Sequence, residues 1–344
     1  MPSPPLPEQD LDHVLTHARE AFLALRDAHI FLTGGTGFFG HWLLESLLRA
    51  DHALALNVRV TVLTRNIAAF RAASPHIATH PAITLLEGDI RTFTFPAEPH
   101  THIVHAATDS GGQQSGRSPE ALYDDILSGT QHVLEMAQSF ARHTDATRLL
   151  YVSTGAVYGR STTLLHTPED FPVPELPPHS YEAAKRAAEL LCLAQPELNP
   201  VLARCFAFVG PRLPLDAHFA IGNFLSAAIS DKPIHITGDG TPRRSWLYTA
   251  DLAIWLWTLL THGHPGRAYN VGSDVGMTIA EAAQLTAATL NPPLPIQIDG
   301  TPNPAVPLDS YVPDISLARN ELGLRVLIPL DEALRRTAKW HGIR

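Results

Sequence analysis

Two side chains four residues apart, Tyr181 and Lys185 in the segment Tyr-Glu-Ala-Ala-Lys, form the pair in this chain best suited to moving a proton. At that spacing both fall on one face of a helix. A free tyrosine, with a pKa near 10, is too rarely ionised to act as a base at neutral pH. A lysine ammonium beside it favours the phenolate, and each unit of depression corresponds to about 1.4 kcal/mol. The phenolate can then take the proton of a carbinol hydroxyl while a hydride leaves the carbon. Thr154, ahead of the pair in the chain, can hydrogen-bond the same oxygen. The spacing alone is common in proteins, so its meaning rests on its surroundings.

A hydride needs an acceptor, and one stretch points to it. Thr33–Gly40, TGGTGFFG, directly follows the apolar run Ile30–Leu32 and precedes Trp42–Leu48, which has helical spacing. Glycines at Gly34, Gly37 and Gly40 on a strand-to-helix turn let the backbone approach a pyrophosphate at the positive end of the new helix. Thr36, Phe38 and Phe39 belong to the same turn. The two phenylalanines serve equally well as pocket wall or as core. A dinucleotide held there would present a nicotinamide ring, whose positive charge also favours the Tyr181 phenolate.

Further residues fit the rest of such a cofactor. Arg65 and Asn66 end the second strand candidate. An acidic residue at that place would bind the ribose hydroxyls of NAD, whereas a guanidinium suits a 2′-phosphate. The cofactor is therefore NADP or NAD, with NADP slightly favoured by Arg65; a solvated arginine would look the same in sequence. Asp89 and Ile90, in Glu-Gly-Asp-Ile, end the third strand candidate. Asp89 is placed to accept from the adenine amino group or to cap the next turn. Ala106 and Ala107 follow His105 and let ribose and nicotinamide lie close to the backbone.

These residues need a frame. Short apolar, β-branched runs at His29–Thr33, Val58–Thr64, Ile83–Glu87, His102–His105, Arg148–Ser153 and Val201–Phe206 read as strands covered on both faces. Helical spacing lies between them, at His41–Arg49, Pro119–Arg142 and Ser180–Ala194. The alternation predicts an α/β fold, a Rossmann-type doubly wound parallel sheet. A Pro-rich start and a helix over Asp10–Arg26 make residues 1–28 an N-terminal extension. Residues 29–206 form the NAD(P)-binding domain with the catalytic residues. After residue 207 prolines and glycines increase, and helical signals return at Phe224–Ile229, Leu252–Leu260, Ile279–Leu290, Ser316–Leu322 and Leu330–His341. Residues 207–344 are thus expected to be a smaller C-terminal substrate-binding lobe, partly packed back on the first domain, with substrate in the cleft. Trp246, Trp255 and Trp257 are expected to pack that lobe.

The totals exclude several classes. A chain of 344 residues with 45% hydrophobic residues has ample core for one large domain or two smaller ones. A formal charge of −9 without a basic run argues against a nucleic-acid partner. The apolar runs are too short to span a bilayer, and the first residues lack a signal peptide's pattern. Cys192 and Cys205 offer no disulfide framework or zinc spacing, and the scattered histidines form no metal pattern, so no metal is expected. The protein reads as cytoplasmic.

Over about residues 29–340 the chain resembles an extended short-chain dehydrogenase/reductase of the NAD-dependent epimerase/dehydratase family, which acts mostly on nucleotide sugars. The resemblance is carried by TGGTGFFG, EGDI (87–90), HAA (105–107), VSTGAVYG (152–159), YEAAK (181–185), ARCFAFVGP (203–211), GDGTPRRSWLYTADLA (238–253) and YNVGS (269–273). It implies catalytic roles for Thr154, Tyr181 and Lys185. It implies that Arg244 holds the substrate diphosphate with Asn223 nearby, that Phe206, like Tyr181 and Lys185, lies against the cofactor, and that the protein is a homodimer through the helices at 119–142 and 180–194. A bidentate guanidinium is the physically expected diphosphate holder, and Arg243 beside it can share the role or face water.

Departures narrow the reaction. Family 4,6-dehydratases carry an acidic pair directly after the threonine, and decarboxylases usually keep a glutamate at the second of those places. Here Gly155-Ala156 follow, which do no acid–base work. The family's asparagine in the ARCFAFVGP stretch is Ala207. The expected reaction is hydride transfer at C4 of a nucleotide-diphosphate sugar, as 4-epimerisation or 4-keto reduction. Its alternatives are a 4,6-dehydratase or decarboxylase with an acid from elsewhere, a reductase of a non-sugar carbonyl, and a silent NADP-sensing module.

Overall fold

The computed structural model describes residues 2–108, 118–141, 147–159, 164–215, 219–289 and 294–342. The chain opens with α1 (Glu8–His17) and α2 (Arg19–Leu23), which bury Val14, Ala21 and Phe22. The single helix expected over 10–26 is broken at Ala18, whose φ of −107° and ψ of 18° leave the helical range. Then come β1 (His29–Thr33), α3 (Phe38–Leu54), β2 (Arg59–Thr64), α4 (Ile67–Ala73), α5 (Pro75–Ala78), β3 (Ile83–Glu87) and β4 (His102–His105). Next are α6 (Pro119–Ala141), β5 (Arg148–Thr154), α7 (Tyr181–Leu193) and β6 (Pro200–Cys205). The remainder holds β7 (Phe208–Val209), α8 (Ala220–Ile229), β8 (Ile234–Ile236), β9 (Arg243–Arg244), β10 (Leu247–Tyr248), α9 (Thr249–His262) and β11 (Arg267–Val271). It closes with β12 (Met277–Thr278), α10 (Ile279–Thr289), β13 (Ile296–Ile298), β14 (Ser310–Tyr311), α11 (Ser316–Leu322) and α12 (Leu330–Trp340).

Seven strands form one parallel Rossmann-like sheet in the order β11-β6-β5-β4-β1-β2-β3. Ile30 pairs with Val60 of β2 on one side and His102 of β4 on the other, both parallel. All five residues of β1 are buried, as helices on both faces require. The strand order reverses between β1 and β4. In such sheets ligands bind beyond the carboxyl ends of the strands at that point, where Thr33 and His105 stand.

The chain divides into two compact units, one of Met1–Val157, Glu175–Arg204 and Ala253–Tyr269, the other of Tyr158–Pro174, Cys205–Leu252 and Asn270–Arg344. Helix α9 thus returns to the first unit, and most of its residues, Trp255 and Trp257 among them, pack there rather than in a second lobe. Trp257 Nε1 donates to Ser46 Oγ at 3.0 Å, and its ring lies 5.9 Å from that of Phe22. In the second unit β9 is the middle strand of β12-β9-β14, β7 pairs with β10, and β8 pairs with β13. Among the described residues no helix is long and apolar enough to cross a membrane, and no cluster of His, Cys, Asp and Glu could hold a metal ion.

Strand β4 and the residues leading into it carry three histidines that the fold keeps neutral. His100 stacks on His29 at 3.7 Å and meets Thr61 Oγ1 at 2.8 Å. Burial, then the charge of its neighbours, lowers it to about 3. Burial, then Lys185, lowers His105 to about 3, and burial, then Arg148, lowers His102 to about 4. The unfolded chain protonates these groups below about pH 6.5 while the fold does not, so stability is full above that pH and falls as pH drops toward 4. For fully buried His100 and His105 this corresponds to about 2 kcal/mol each at pH 5 as an upper bound. The urea midpoint is expected to fall clearly between pH 7.5 and pH 5; an unchanged midpoint would mean that these rings take up protons inside the fold.

Candidate active site

The glycine turn after β1 is shaped by close backbone approach. Gly34 has a φ of +74°, and a Cβ there would lie 2.6 Å from the carbonyl oxygen of Ala106. At Gly40 a Cβ would lie 2.3 Å from the Gly34 carbonyl oxygen. Turn, helix start and the end of β4 therefore meet with no room for side chains. Gly37 is the N-cap of α3 and supplies no side-chain bond, and the first turn holds no acid. The start of α3, with a glycine N-cap and no acid in its first turn, is thus a cradle suited to an anion. Thr36 is exposed there, and Phe38 and Phe39 pack at 5.6 Å between ring centres.

The end of β4 is held by a chain of hydrogen bonds. The N–H groups of Ala106 and Ala107 both donate to Thr33 Oγ1, at 3.1 and 3.0 Å. With both lone pairs used, the Thr33 hydroxyl proton points to His105 Nδ1 at 2.8 Å. His105 is therefore the Nε2–H tautomer and donates to Thr130 Oγ1 at 3.0 Å. Its depressed pKa agrees, since an imidazolium could not accept from Thr33. The bonded chain fixes Ala106 and Ala107, the backbone expected beside ribose and nicotinamide.

Strand β5 and helix α7 carry the residues expected to do acid–base work. Ser180 caps α7 by accepting from Ala183 N–H at 3.1 Å, which makes half-buried Tyr181 the first helical residue. One turn on, buried Lys185 sends Nζ to the Val152 carbonyl oxygen at 2.8 Å and lies 4.8 Å from the centre of the Tyr151 ring. Two residues after Val152 comes Thr154, whose Oγ1 accepts from Ala156 N–H at 3.2 Å. Gly155 and Ala156 open a 3-10 turn, Gly155–Tyr158.

A second clamp between the same elements was not read from the sequence. Glu189, fully buried on α7, accepts from Ser153 Oγ at 2.6 Å. It also takes Arg204 of β6 through both carboxylate oxygens, at 3.0 and 2.9 Å, and Arg186 at 2.8 Å. A buried carboxylate needs such company. Its signal in the sequence was its place four residues after Lys185 and eight after Tyr181, on the same helical face. Successive residues of β5, Val152 and Ser153, are thereby pinned to α7 directly ahead of Thr154.

Where an adenosine is expected, Arg65 is exposed, and after the hydrogen bonds from Arg91 its charge contributes to lowering Asp89. Asn66 caps α4, its Oδ1 accepting from Ala69 N–H at 2.8 Å. Asp89 is bound through both oxygens to Arg91, at 2.7 and 3.0 Å, and also receives the Arg91 N–H. The hydrogen bonds from Arg91 lower it to about 2. Its carboxylate already caps the turn, one of the two roles open to it. Ile90 packs against α6 where Gly129 leaves space.

Three expected residues lie in the second unit. Phe206 packs against Tyr311 at 4.7 Å, with Tyr158 at 6.3 Å. Asn223 is exposed on α8. Arg244, on β9, makes an ion pair with Asp309 at 2.9 Å, while Arg243 Nη2 donates to the Gly276 carbonyl oxygen at 2.5 Å.

The profile of the NAD-dependent epimerase/dehydratase family matches residues 30–272. The chain belongs to that family. It is similar to UDP-glucuronic acid decarboxylase 1 of Arabidopsis thaliana, 28% identical over 323 residues, covering 89% of this chain and 68% of that protein. It is also similar to UDP-glucose 4-epimerase of Yersinia pestis, 27% identical, covering 91% of this chain and 97% of that one. Its fold is that of dTDP-glucose 4,6-dehydratase from Bacillus anthracis, solved in complex with NAD, with a TM-score of 0.74 at 21% identity, covering 92% and 96% of the two chains. The glycine cradle fits the NAD(P) cofactor that the family uses.

Proposed function

We propose that this member of the family transfers a hydride at C4 of a nucleotide-diphosphate sugar, as a 4-epimerase or a 4-ketoreductase. Bound NAD(P) supplies the hydride acceptor or donor. In the oxidising direction the Tyr181 phenolate takes the C4 hydroxyl proton while Thr154 donates a hydrogen bond to the same oxygen. Lys185 stabilises the phenolate by its charge. In the reducing direction Tyr181 returns the proton to the C4 oxygen. Arg244 is assigned to the substrate diphosphate, with Asn223 as a further contact, Phe206 is assigned to the cofactor, and exposed Arg65 favours NADP over NAD. The protein is assigned to the cytoplasm, where its buried cysteines Cys192 and Cys205, not joined in a disulfide, suit a reducing medium, and to a homodimer through α6 and α7.

One observation carries this choice of reaction. The turn after Thr154 starts with Gly155-Ala156, which offer no acid to expel water or to assist loss of carbon dioxide. The relatives named as a decarboxylase and a dehydratase keep the second reading in play, elimination or decarboxylation with an acid from elsewhere in the chain. Mass spectrometry of products from a nucleotide-sugar panel, with and without NADPH, separates these. Unchanged mass at a new retention time is expected of an epimerase, and a gain of two hydrogens of a ketoreductase. Loss of water or carbon dioxide would overturn the proposal in favour of the second reading.

A further inference from the structure

The face of Arg244 that would grip a diphosphate is already engaged. Nη1 donates to Asp309 Oδ1 at 2.9 Å and Nη2 reaches Oδ2 at 3.4 Å, the forked arrangement a phosphate would take. Nη1 also donates to the Arg243 carbonyl oxygen at 2.8 Å and lies 3.4 Å from the Asp309 carbonyl oxygen. The backbone bond from Arg243 N–H to the Asp309 carbonyl oxygen, at 2.7 Å, sets Asp309 beside β9. We propose that Asp309 is an internal competitor for the phosphate-binding face of Arg244, so that a nucleoside diphosphate binds by displacing its carboxylate.

Three features favour competition over mere support of the arginine. The Arg243 carbonyl oxygen orients the guanidinium without help from the carboxylate. Arg243 itself is drawn to the Gly276 carbonyl oxygen, and the one carboxylate on Arg244 cancels its charge where an anion of two or more charges is to bind. The pair is also easily parted: the Arg244 side chain is 26% exposed and that of Asp309 39%. Asp309 follows residues 301–308, every one of them exposed. An exposed pair of this kind is weak enough for a multiply charged phosphate to win. The effect is a ceiling on nucleotide affinity, which favours release of the product.

The inference rests on the assignment of Arg244 to the diphosphate, and the test keeps the two apart. UDP, dTDP, GDP and CDP are titrated calorimetrically into the full-length protein and its Asp309→Asn, Arg244→Ala and doubly substituted forms. Asparagine keeps an oxygen for Nη1 but removes the charge. Asp309→Asn is expected to bind the preferred diphosphate about fivefold more tightly, and that gain should vanish in the Arg244→Ala background. Equal or weaker binding by Asp309→Asn, or a gain that survives without Arg244, overturns the proposal. If Arg244→Ala weakens binding while Asp309→Asn changes nothing, the diphosphate assignment stands and only the competition falls. If no form binds any of the four, both fall together.

Discussion

Replacing Tyr181 by phenylalanine is expected to lower turnover on the preferred nucleotide sugar by roughly 10²–10⁴-fold, the usual contribution of a positioned acid–base group. The change removes one hydroxyl from the start of α7 and leaves the Ser180 cap and the Lys185–Val152 bond in place. Cofactor affinity, measured by quenching of protein fluorescence with NADH or NADPH, should therefore move by less than about threefold. The pairing of a large loss in kcat with an intact cofactor site is what identifies an acid–base residue rather than a scaffold residue. Near-normal turnover in Tyr181→Phe would remove Tyr181 from the chemistry and leave the hydride reading without its base.

The second large effect is structural in origin. Alanine at Gly40 would place its Cβ 2.3 Å from the Gly34 carbonyl oxygen and 2.4 Å from Gly35, both backbone. Neither neighbour can swing aside, so the turn must open. A loss of about 1–3 kcal/mol is expected from overpacking, together with loss of measurable NAD(P) binding, because the opened turn no longer presents its amides together. Gly37→Ala is the control, since its Cβ would meet nothing closer than 3.4 Å. It should melt at the temperature of the unsubstituted protein while still weakening the cofactor, whose pyrophosphate is proposed to lie against that exposed position. Equal melting temperatures for Gly40→Ala and the unsubstituted protein would show the turn to be looser than its geometry implies.

Local pattern carried most of the frame. The expected strands at 29–33, 83–87 and 102–105 coincide with β1, β3 and β4, those at 58–64 and 148–153 differ from β2 and β5 by a residue at one end, and that at 201–206 is shifted by one residue from β6. A strand buried on both faces needs an unbroken apolar run, and such runs are visible in one dimension. The strand β11 was missed, because Arg267–Val271 is short and its first residue is exposed and charged. Helices α4 and α5 were also missed, since Ser74 and Pro75 interrupt a stretch of only twelve residues.

The placement of the candidate residues was legible for the same reason. Tyr181 and Lys185 are four apart on one helix, and Gly34, Gly37 and Gly40 lie within one turn, so local geometry alone relates them. Thr154 was read with them from its place at the end of a strand candidate, and it closes β5 two residues after Val152, which Lys185 holds. What sequence could not supply were the partners brought from afar. Glu189 with Ser153 and Arg204, His105 with Thr33 and Thr130, and Arg244 with Asp309 are joined across intervals of 15 to 72 residues. Charge and hydrogen bonding act through space, and a carboxylate sixty-five residues from an arginine becomes its partner only when β14 lies beside β9. The chain by itself thus determined an α/β frame, a glycine cradle and a tyrosine–lysine pair, each written in neighbouring residues. The tertiary structure decided which buried charges pin α7 to β5 and which carboxylate pairs with Arg244.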